Sequence, residues 1–248
     1  MKQSLTIGWL YPELMSTYGD RGNIIALQKR CEWRETGVEV LHLDLHFNPN
    51  QLSQCDLLFM GGAQDKQQQI VTEDLLKKRD VLSQMIENGI PGLYICGAYQ
   101  FLGKYYKEAN GNILKGLDIL DLHTENPGEN SSRLIGNIAV KALNNKIIVG
   151  FENHGGRTYL GAQIKPLGKV IKGFGNNGED STEGVIYKNS FGTYLHGPIL
   201  PKNPCLSDLL IKLALEKKYN SPIQLSPLDD SLETKAHNAI SKRLKIKI

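Results

Sequence analysis

The sequence predicts an α/β fold: a mainly parallel central sheet flanked by helices, with antiparallel strands added in the second half. Through the first hundred residues, short apolar runs alternate with helical patterns, which is typical of βαβ units. Beyond residue 110, strand-like runs follow one another between turns rich in Gly, Asn and Asp, which indicates antiparallel pairing. At 248 residues with 40% apolar side chains, the chain can bury one substantial core.

The elements of the first half are predicted from periodicity and from the residues that end them. Short runs that are apolar or alternate in polarity favour strands, and longer stretches with apolar residues at helical spacing favour helices. Gly37 and Gly89 mark the two helix ends. The predicted strands are residues 6–10, 38–45, 56–60 and 91–96, and the predicted helices are residues 22–36 and 65–88.

The second half predicts further strands and one clear helix. Asn203 and Pro204 fit an N-cap followed by proline at the first helical position, and the helical pattern continues to Tyr219. We expect a domain of residues 1–220 and a C-terminal extension, residues 221–248, that forms a peripheral helix, a partner contact or a solvated basic end. The strand-like runs are residues 113–125, 134–143, 147–153, 167–173 and 184–195.

Charge and cysteine usage narrow the class of protein. The 29 basic and 26 acidic residues give a net charge of +3, which is too balanced to predict a nucleic-acid surface. No apolar run is long enough for a membrane span. The cysteines form neither a C-x-x-C pair nor a metal-ligand spacing, so we expect free thiols, no bound metal and a cytoplasmic enzyme or subunit. They are Cys31, Cys55, Cys96 and Cys205.

Cys96 stands where a nucleophile is expected. It ends an apolar strand, Gly97 and Ala98 follow at once, and a helix-like segment comes next. Small residues permit a sharp strand-to-helix turn that exposes the sulfur, and the helix N-terminus favours the thiolate. A buried structural cysteine is the ordinary alternative for an isolated Cys, but this context favours the nucleophile.

A thiolate nucleophile requires a base. His196 closes a strand and precedes loop residues, so it is expected at the same sheet edge as Cys96. His154 is the rival base; otherwise it is a structural or interface histidine. For the oxyanion hole of an acyl transfer, the N–H of Gly62 or a neighbour is expected to combine with that of Gly97, since glycine leaves backbone donors approachable.

These motifs resemble a known family. The runs MGGAQD (60–65), LYICGAYQ (93–100) and TYLHG (193–197) are similar to those of class I, triad-type glutamine amidotransferases, in particular the cobyric-acid-synthase-like branch. The runs GFENHGGRT (150–158), GFGNN (173–177) and HGPILP (196–201) resemble the glutaminase subunits of lipid II isoglutaminyl synthases. The similarity covers roughly residues 4–220 and implies a flavodoxin-like amidotransferase fold.

The resemblance implies an activity and a partner. The chain would hydrolyse L-glutamine to glutamate and ammonia, with Cys96 as nucleophile and His196 as general acid and base. A Mur-ligase-like synthetase subunit of the MurT type would form a heterodimer with it and use the ammonia to amidate D-glutamate of lipid II in peptidoglycan synthesis. The sequence has no G-x-x-x-x-G-K-[ST] loop, so ATP and Mg²⁺ are expected on the partner and no cofactor on this chain.

The resemblance also assigns binding residues. Arg133 would hold the α-carboxylate of glutamine, for which a guanidinium fork is suited; without the resemblance, a surface ion pair is an equal reading. Gln100 is expected to line the same pocket or to lie on a helix surface. Many class I enzymes carry a glutamate two residues after the histidine, where this chain has Pro198. The orienting acid is therefore expected from an Asp of the partner, in trans, or from Glu152.

Three other functions stay open from the sequence. One is an amidotransferase domain for a corrinoid or another carboxylate acceptor, against which the run 150–158 argues. Another is a cysteine hydrolase of peptide or γ-glutamyl bonds, which would not require Arg133. The last is a non-catalytic binding subunit that retains the fold, since no local triad acid is visible.

Overall fold

A computed structural model describes residues 2–63 and 65–246, without the side chains of residues 65 and 66. Single turns of 3₁₀ helix occur at Thr17–Gly19 and Leu200–Lys202, and a longer one at Pro49–Gln54. The helices and strands, in chain order, are β1 (Ser4–Leu10), α1 (Arg21–Glu32), β2 (Gly37–Leu43), β3 (Leu57–Met60), α2 (Asp65–Leu76), α3 (Arg79–Glu87), β4 (Gly92–Ile95), α4 (Gly97–Phe101), β5 (Tyr105–Lys107), β6 (Ile113–Lys115), β7 (Leu122–Glu125), β8 (Leu134–Ala142), β9 (Lys146–His154), β10 (Arg157–Leu160), β11 (Gly168–Lys172), β12 (Thr182–Glu183), β13 (Val185–Tyr187), β14 (Ser190–Thr193), α5 (Pro204–Tyr219) and α6 (Ser231–Arg243).

The central sheet has six strands in the order β13-β14-β4-β3-β1-β2. All neighbours pair in parallel except β13, which joins β14 as an antiparallel edge strand. Strands β3 and β4 are buried at every position, as expected for a parallel sheet covered on both faces. The carboxyl ends of β1, β3, β4 and β14 therefore lie at one edge, where such sheets place their sites.

Two smaller sheets flank the central one. One has the order β10-β7-β5-β6, and the other is antiparallel throughout in the order β12-β11-β8-β9. A bridge between Phe151 and His196 connects β9 to the segment after β14. This bridge brings the end of β9 and its partner Leu134, paired with His154, to the carboxyl edge of the central sheet.

The predicted fold class is confirmed, and most predicted elements are present with shifted ends. The predicted helix 65–88 is instead two helices, α2 and α3. They separate at Lys78, whose φ of −110° and ψ of 4° are not helical. Its ammonium is buried and bonds the Asp74 carboxylate at 2.6 Å. Periodicity does not reveal this break, because the apolar residues recur at helical spacing on both sides of it.

The predicted strand 113–125 is also two elements, β6 and β7. The backbone between them bonds the end of α4: Leu117 N donates to the Phe101 carbonyl at 2.7 Å, and Leu120 N to the Leu102 carbonyl at 2.8 Å. These N–H groups are satisfied without a strand partner, so the segment is not extended. The run 184–195 is likewise a hairpin of β13 and β14, with Lys188 at a φ of +51° in its turn.

Residues after α5 lie against the domain and include α6. The buried Arg30 guanidinium bonds Asp208 of α5 at 2.7 Å and Asp230, just before α6, at 2.6 Å. His237 Nδ1 lies 3.0 Å from the Lys202 carbonyl. The boundary at residue 220 stays a prediction. Across residues 2–63 and 65–246, we find no helix with the length and apolar character needed to span a bilayer.

Asn203 occupies the predicted N-cap position of α5, and Pro204 is at the first turn. The Asn203 side chain does not cap the helix, however. It accepts a hydrogen bond from Val149 N at 2.9 Å and donates to the Val149 carbonyl at 2.8 Å. Asn203 thus ties the start of α5 to β9. This connection supports the segment that follows His196.

Candidate active site

Cys96 lies in a sharp turn between β4 and α4. Its φ of 51° and ψ of −107° are strained for a residue with a side chain. Its N–H donates to the Thr193 carbonyl at 2.8 Å, which fixes the turn to the neighbouring strand. Gly97 leaves room for the Gln68 side chain, since a Cβ there would lie 2.7 Å from Gln68 Nε2. The expected nucleophile elbow is therefore present, and the 8%-exposed Cys96 lines a pocket.

His196 meets Cys96 above Gly62. A Cβ on Gly62 would lie 2.8 Å from His196 Cε1 and 3.2 Å from Cys96 Cβ, so both side chains occupy the space next to this glycine. Burial of the imidazole opposes its protonation, but attraction to Cys96 and the proximity of the Asp20 carboxylate raise the pKa of His196 to about 10. The raised pKa favours the protonated imidazole, which can give its proton to a leaving group beside Cys96.

Asp20 is the acidic residue that sequence reasoning missed. Its Oδ1 lies 3.5 Å from His196 Nδ1, and both side chains are fully buried. Its Oδ2 accepts a hydrogen bond from Gly62 N at 2.7 Å. Asp20 follows the carboxyl end of β1 by ten residues, so only its position after an early strand of the sheet could have indicated it.

Glu152, the in-chain acid considered from the sequence, does not take this place. Its carboxylate accepts from Phe174 N at 2.8 Å and from Gly175 N at 2.9 Å, and it lies 3.9 Å from His154 Nε2. These contacts place Glu152 beside His154. The acid beside His196 is Asp20, so the in-chain alternative Glu152 is corrected, and the expectation of an Asp from the partner stays a prediction.

Contacts with Tyr194 and Gly156 hold the ring of His154, the rival base, in place. Its ring stacks on Tyr194 with centroids 3.6 Å apart, and its Nδ1 lies 2.8 Å from the Gly156 carbonyl. Burial lowers the pKa of His154. It lines the pocket, but the histidine in contact with Cys96 is His196, so the geometry favours His196 as the base.

The expected oxyanion donors need one correction. The Gly62 N–H donates to Asp20 and is not available to an oxyanion. The next N–H, that of Ala63, donates to no other residue within the described part of the chain. Ala63 N lies 3.5 Å from the position of a Cβ on Gly97, and the Gly97 N–H has no acceptor within α4 because it begins that helix. Ala63 and Gly97 are therefore the better donor pair.

Arg133 and Gln100 reach the same pocket, which has a volume of about 490 Å³. Arg133 is exposed at its rim. Gln100 is buried, donates from Nε2 to the Tyr194 hydroxyl at 3.0 Å, and its Oε1 has no hydrogen-bond partner among the described residues. The pocket is lined by Thr17, Tyr18, Ala63, Gln68, Cys96, Gln100, Tyr106, Arg133, Asn153, His154, Gly155, Gly156 and His196.

The chain is similar in sequence to two proteins of known activity. The chain is 43% identical over 239 residues to the lipid II isoglutaminyl synthase (glutamine-hydrolyzing) subunit GatD of Staphylococcus aureus (strain N315), covering 96% of each chain. It is 43% identical over 231 residues to the subunit of the same name from Streptococcus pneumoniae (strain ATCC BAA-255 / R6), covering 92% of this chain and 87% of the other.

A solved structure described as a glutamine amidotransferase matches the fold with a TM-score of 0.58 at 14% identity, covering 84% of this chain and 98% of the other. At that identity the likeness concerns the fold alone. The family profile described as the CobB/CobQ-like glutamine amidotransferase domain matches residues 6–204, a range that contains the elbow, the histidine and the pocket. The chain belongs to the CobB/CobQ-like glutamine amidotransferase family.

Proposed function

We propose that this chain is the glutaminase subunit of a lipid II isoglutaminyl synthase. The observation that carries the proposal is the convergence of Cys96, His196 and Arg133 on one pocket, with Asp20 behind the histidine. The chain is 43% identical, over 96% of its length, to the glutamine-hydrolysing subunit of a lipid II isoglutaminyl synthase. This identity supports lipid II over a corrinoid as the acceptor of the ammonia.

The reaction follows from the geometry. The Cys96 thiolate attacks the side-chain carbonyl carbon of glutamine, and a C–S bond forms as the carbonyl oxygen takes up negative charge. The Ala63 and Gly97 N–H groups stabilise that oxyanion. His196 gives its proton to the nitrogen as the C–N bond breaks, so ammonia leaves and a thioester remains. Water, deprotonated by His196, then releases glutamate and restores the thiolate.

Arg133 selects the substrate. Its guanidinium stands at the rim of the pocket that contains Cys96, where it binds the α-carboxylate of a free glutamine. A peptide-bound glutamine lacks that carboxylate unless it is C-terminal. This placement favours a glutaminase over a hydrolase of internal peptide amides. Gln100, with an unpaired buried Oε1, offers an acceptor for a substrate N–H in the same pocket.

The ammonia is consumed by a partner in this proposal. A Mur-ligase-like synthetase of the MurT type, holding ATP and Mg²⁺, activates the carboxyl group of D-glutamate in lipid II, and ammonia converts it to D-isoglutamine. The two subunits form a heterodimer in the cytoplasm, where ATP is available. Asp20 supports orientation of His196 within this chain; an Asp of the partner acting in trans stays a prediction.

The test compares ammonia and glutamate release by the wild type and Cys96→Ala, each alone and co-expressed with the synthetase encoded in the same cell. We expect glutamine hydrolysis by the wild-type complex and none above background by Cys96→Ala. Cys96→Ser is the matched control that keeps the volume of the side chain. Hydrolysis that survives in Cys96→Ala would rule out the proposed chemistry.

A further inference from the structure

The run from the end of β9 to the start of β10 (residues 153–157) belongs to the most specific motif of the sequence, yet it contains neither the nucleophile nor the base. Its atoms converge on Arg133. Arg157 donates from Nη1 to the Gly155 carbonyl at 2.8 Å and from Nη2 to the Ser132 carbonyl at 2.7 Å. Arg157 therefore ties this run to the residue that precedes Arg133.

Asn153 holds the Arg133 guanidinium itself. Arg133 Nε donates to Asn153 Oδ1 at 2.9 Å, and Arg133 Nη2 donates to the Asn153 carbonyl at 3.1 Å. An exposed arginine otherwise samples many rotamers, so two bonds to one residue fix the plane of its fork. A guanidinium has five N–H donors. These two bonds use two of them and leave the remaining donors for a ligand. A Cβ on Gly155 would lie 3.3 Å from Arg133 Nη1, so the glycine keeps that side open.

The Tyr18 hydroxyl anchors the Asn153 amide on the side away from Arg133. Asn153 Nδ2 donates to the hydroxyl at 2.6 Å. Because a guanidinium has only donors, the amide oxygen must face Arg133 and the amide nitrogen must face Tyr18. The Tyr18 ring lies edge-on to the His196 ring with centroids 5.0 Å apart, and its φ is +56°. Tyr18 thus stands between the histidine and the residue that holds the arginine.

We propose that Asn153, anchored by the Tyr18 hydroxyl, is the positioning residue that aims Arg133 at the α-carboxylate of glutamine. This inference rests on the proposed function, in which Arg133 binds that carboxylate. Asn153 acts through Arg133, and the hydroxyl acts through Asn153. Loss of either group weakens glutamine binding without changing the chemistry at Cys96.

The test measures steady-state glutaminase kinetics of the full chain co-expressed with its synthetase. L-Glutamine is compared with L-glutaminamide, in which a neutral amide replaces the α-carboxylate. We expect Asn153→Ala to raise KM for glutamine about tenfold, because it removes a hydrogen bond to a charged group. Tyr18→Phe should raise it about threefold, because the lost hydrogen bond joins neutral groups. In both variants kcat should stay within about twofold of the wild type. Kinetics with glutaminamide should change by less than about twofold, because it lacks the charge that Arg133 recognises.

Two further variants separate positioning from a structural role. Asn153→Asp is nearly isosteric, but its carboxylate pairs with Arg133 and repels that of the substrate, so we expect a larger rise in KM than for Asn153→Ala. In Tyr18→Phe/Asn153→Ala, KM should equal that of Asn153→Ala, since both changes act on one contact. Tyr187→Phe, which removes a hydroxyl that bonds Glu87 at the far end of the sheet, is the matched control and should leave KM unchanged.

An unchanged KM for glutamine in both Asn153→Ala and Tyr18→Phe would overturn the inference. An equal loss of kcat/KM with glutamine and glutaminamide would overturn it as well, because damage to the fold affects both substrates. If the wild-type complex hydrolysed no glutamine, the proposed function would fail, and this inference with it.

Discussion

Asp20 Oδ1 lies 3.5 Å from His196 Nδ1, and solvent reaches neither side chain. Each of these two atoms lacks a hydrogen-bond partner within the described residues, so a small closure would join them. A carboxylate at this position holds the proton on Nδ1 and turns Nε2 toward the nucleophile. The chain therefore contains an acid of its own for the Cys–His pair.

Asp20→Asn tests this role. The amide oxygen of Asn can still accept from Gly62 N, while its NH₂ group would face Nδ1 and favour the wrong tautomer of His196. We expect kcat for glutamine in the complex to fall by about 100-fold, with little change in KM. Glu152→Gln should not affect the orientation of His196 in this way. A loss smaller than about threefold in Asp20→Asn would point to an acid supplied by the partner.

The protonation of His196 depends on Cys96. Because the folded-state pKa of about 10 lies above the ordinary 6.5, the protonated imidazole contributes stability that is fully present below pH 6.5 and is lost as pH rises toward 10. We expect the ring signals of His196 in NMR spectra to titrate near pH 10 in the wild type. They should titrate at lower pH in Cys96→Ala, which removes the attracting group. A wild-type midpoint near 6.5 would contradict the ion pair.

Gly62 must lack a side chain for the nucleophile and the base to meet. In Gly62→Ala, the new methyl group would lie 2.8 Å from His196 Cε1 and displace the imidazole. A displacement of about 1 Å in a catalytic group can cost about 100-fold in rate, so we expect a loss of that order in kcat. The stability cost should stay near 1–3 kcal/mol, as is usual for overpacking.

Gly136→Ala is the matched control for Gly62→Ala. Gly136 lies on β8, and a Cβ there would have no atom within 4 Å. We expect its activity to equal that of the wild type. Equal activities of Gly62→Ala and Gly136→Ala would show that the histidine does not depend on the space above Gly62.

Local patterns in the sequence were sufficient to predict the sheet and the residues at its strand ends. Cys96 directly follows buried β4, and His196 lies shortly after buried β14; adjacent parallel strands bring such ends together. The helix break lies in the backbone conformation of Lys78, with a φ of −110° and a ψ of 4°, and it could not be predicted because the apolar residues recur at helical spacing on both sides of it.

Asp20 could not be predicted for a related reason. It lies 42 residues before Gly62 in the chain, and no motif surrounds it. Its role arises from packing of the turn after β1 against Gly61 and Gly62, where a Cβ on Gly61 would lie 3.0 Å from Asp20 Oδ2. The same packing occupies the Gly62 N–H and moves the oxyanion donor to Ala63. A backbone donor can be expected from a glycine pair, but its acceptor depends on the tertiary structure.

Glu183 supports the histidine strand and should make stability depend on pH. Its Oε1 accepts from the Thr193 hydroxyl at 2.5 Å and from Tyr194 N at 2.9 Å, and burial raises the pKa of Glu183 to about 7 from 4.5. Because the folded state binds this proton more tightly, wild-type stability falls as pH rises from 4.5 to 7. The Glu183→Gln variant has no ionisable group there and does not lose this stability. The free energy of unfolding of the variant minus that of the wild type should therefore rise by up to about 3 kcal/mol between pH 4.5 and pH 8, at roughly 1.4 kcal/mol per pKa unit. Urea unfolding at both pH values measures the difference, and an equal difference at the two would mean that folding does not raise the pKa of Glu183.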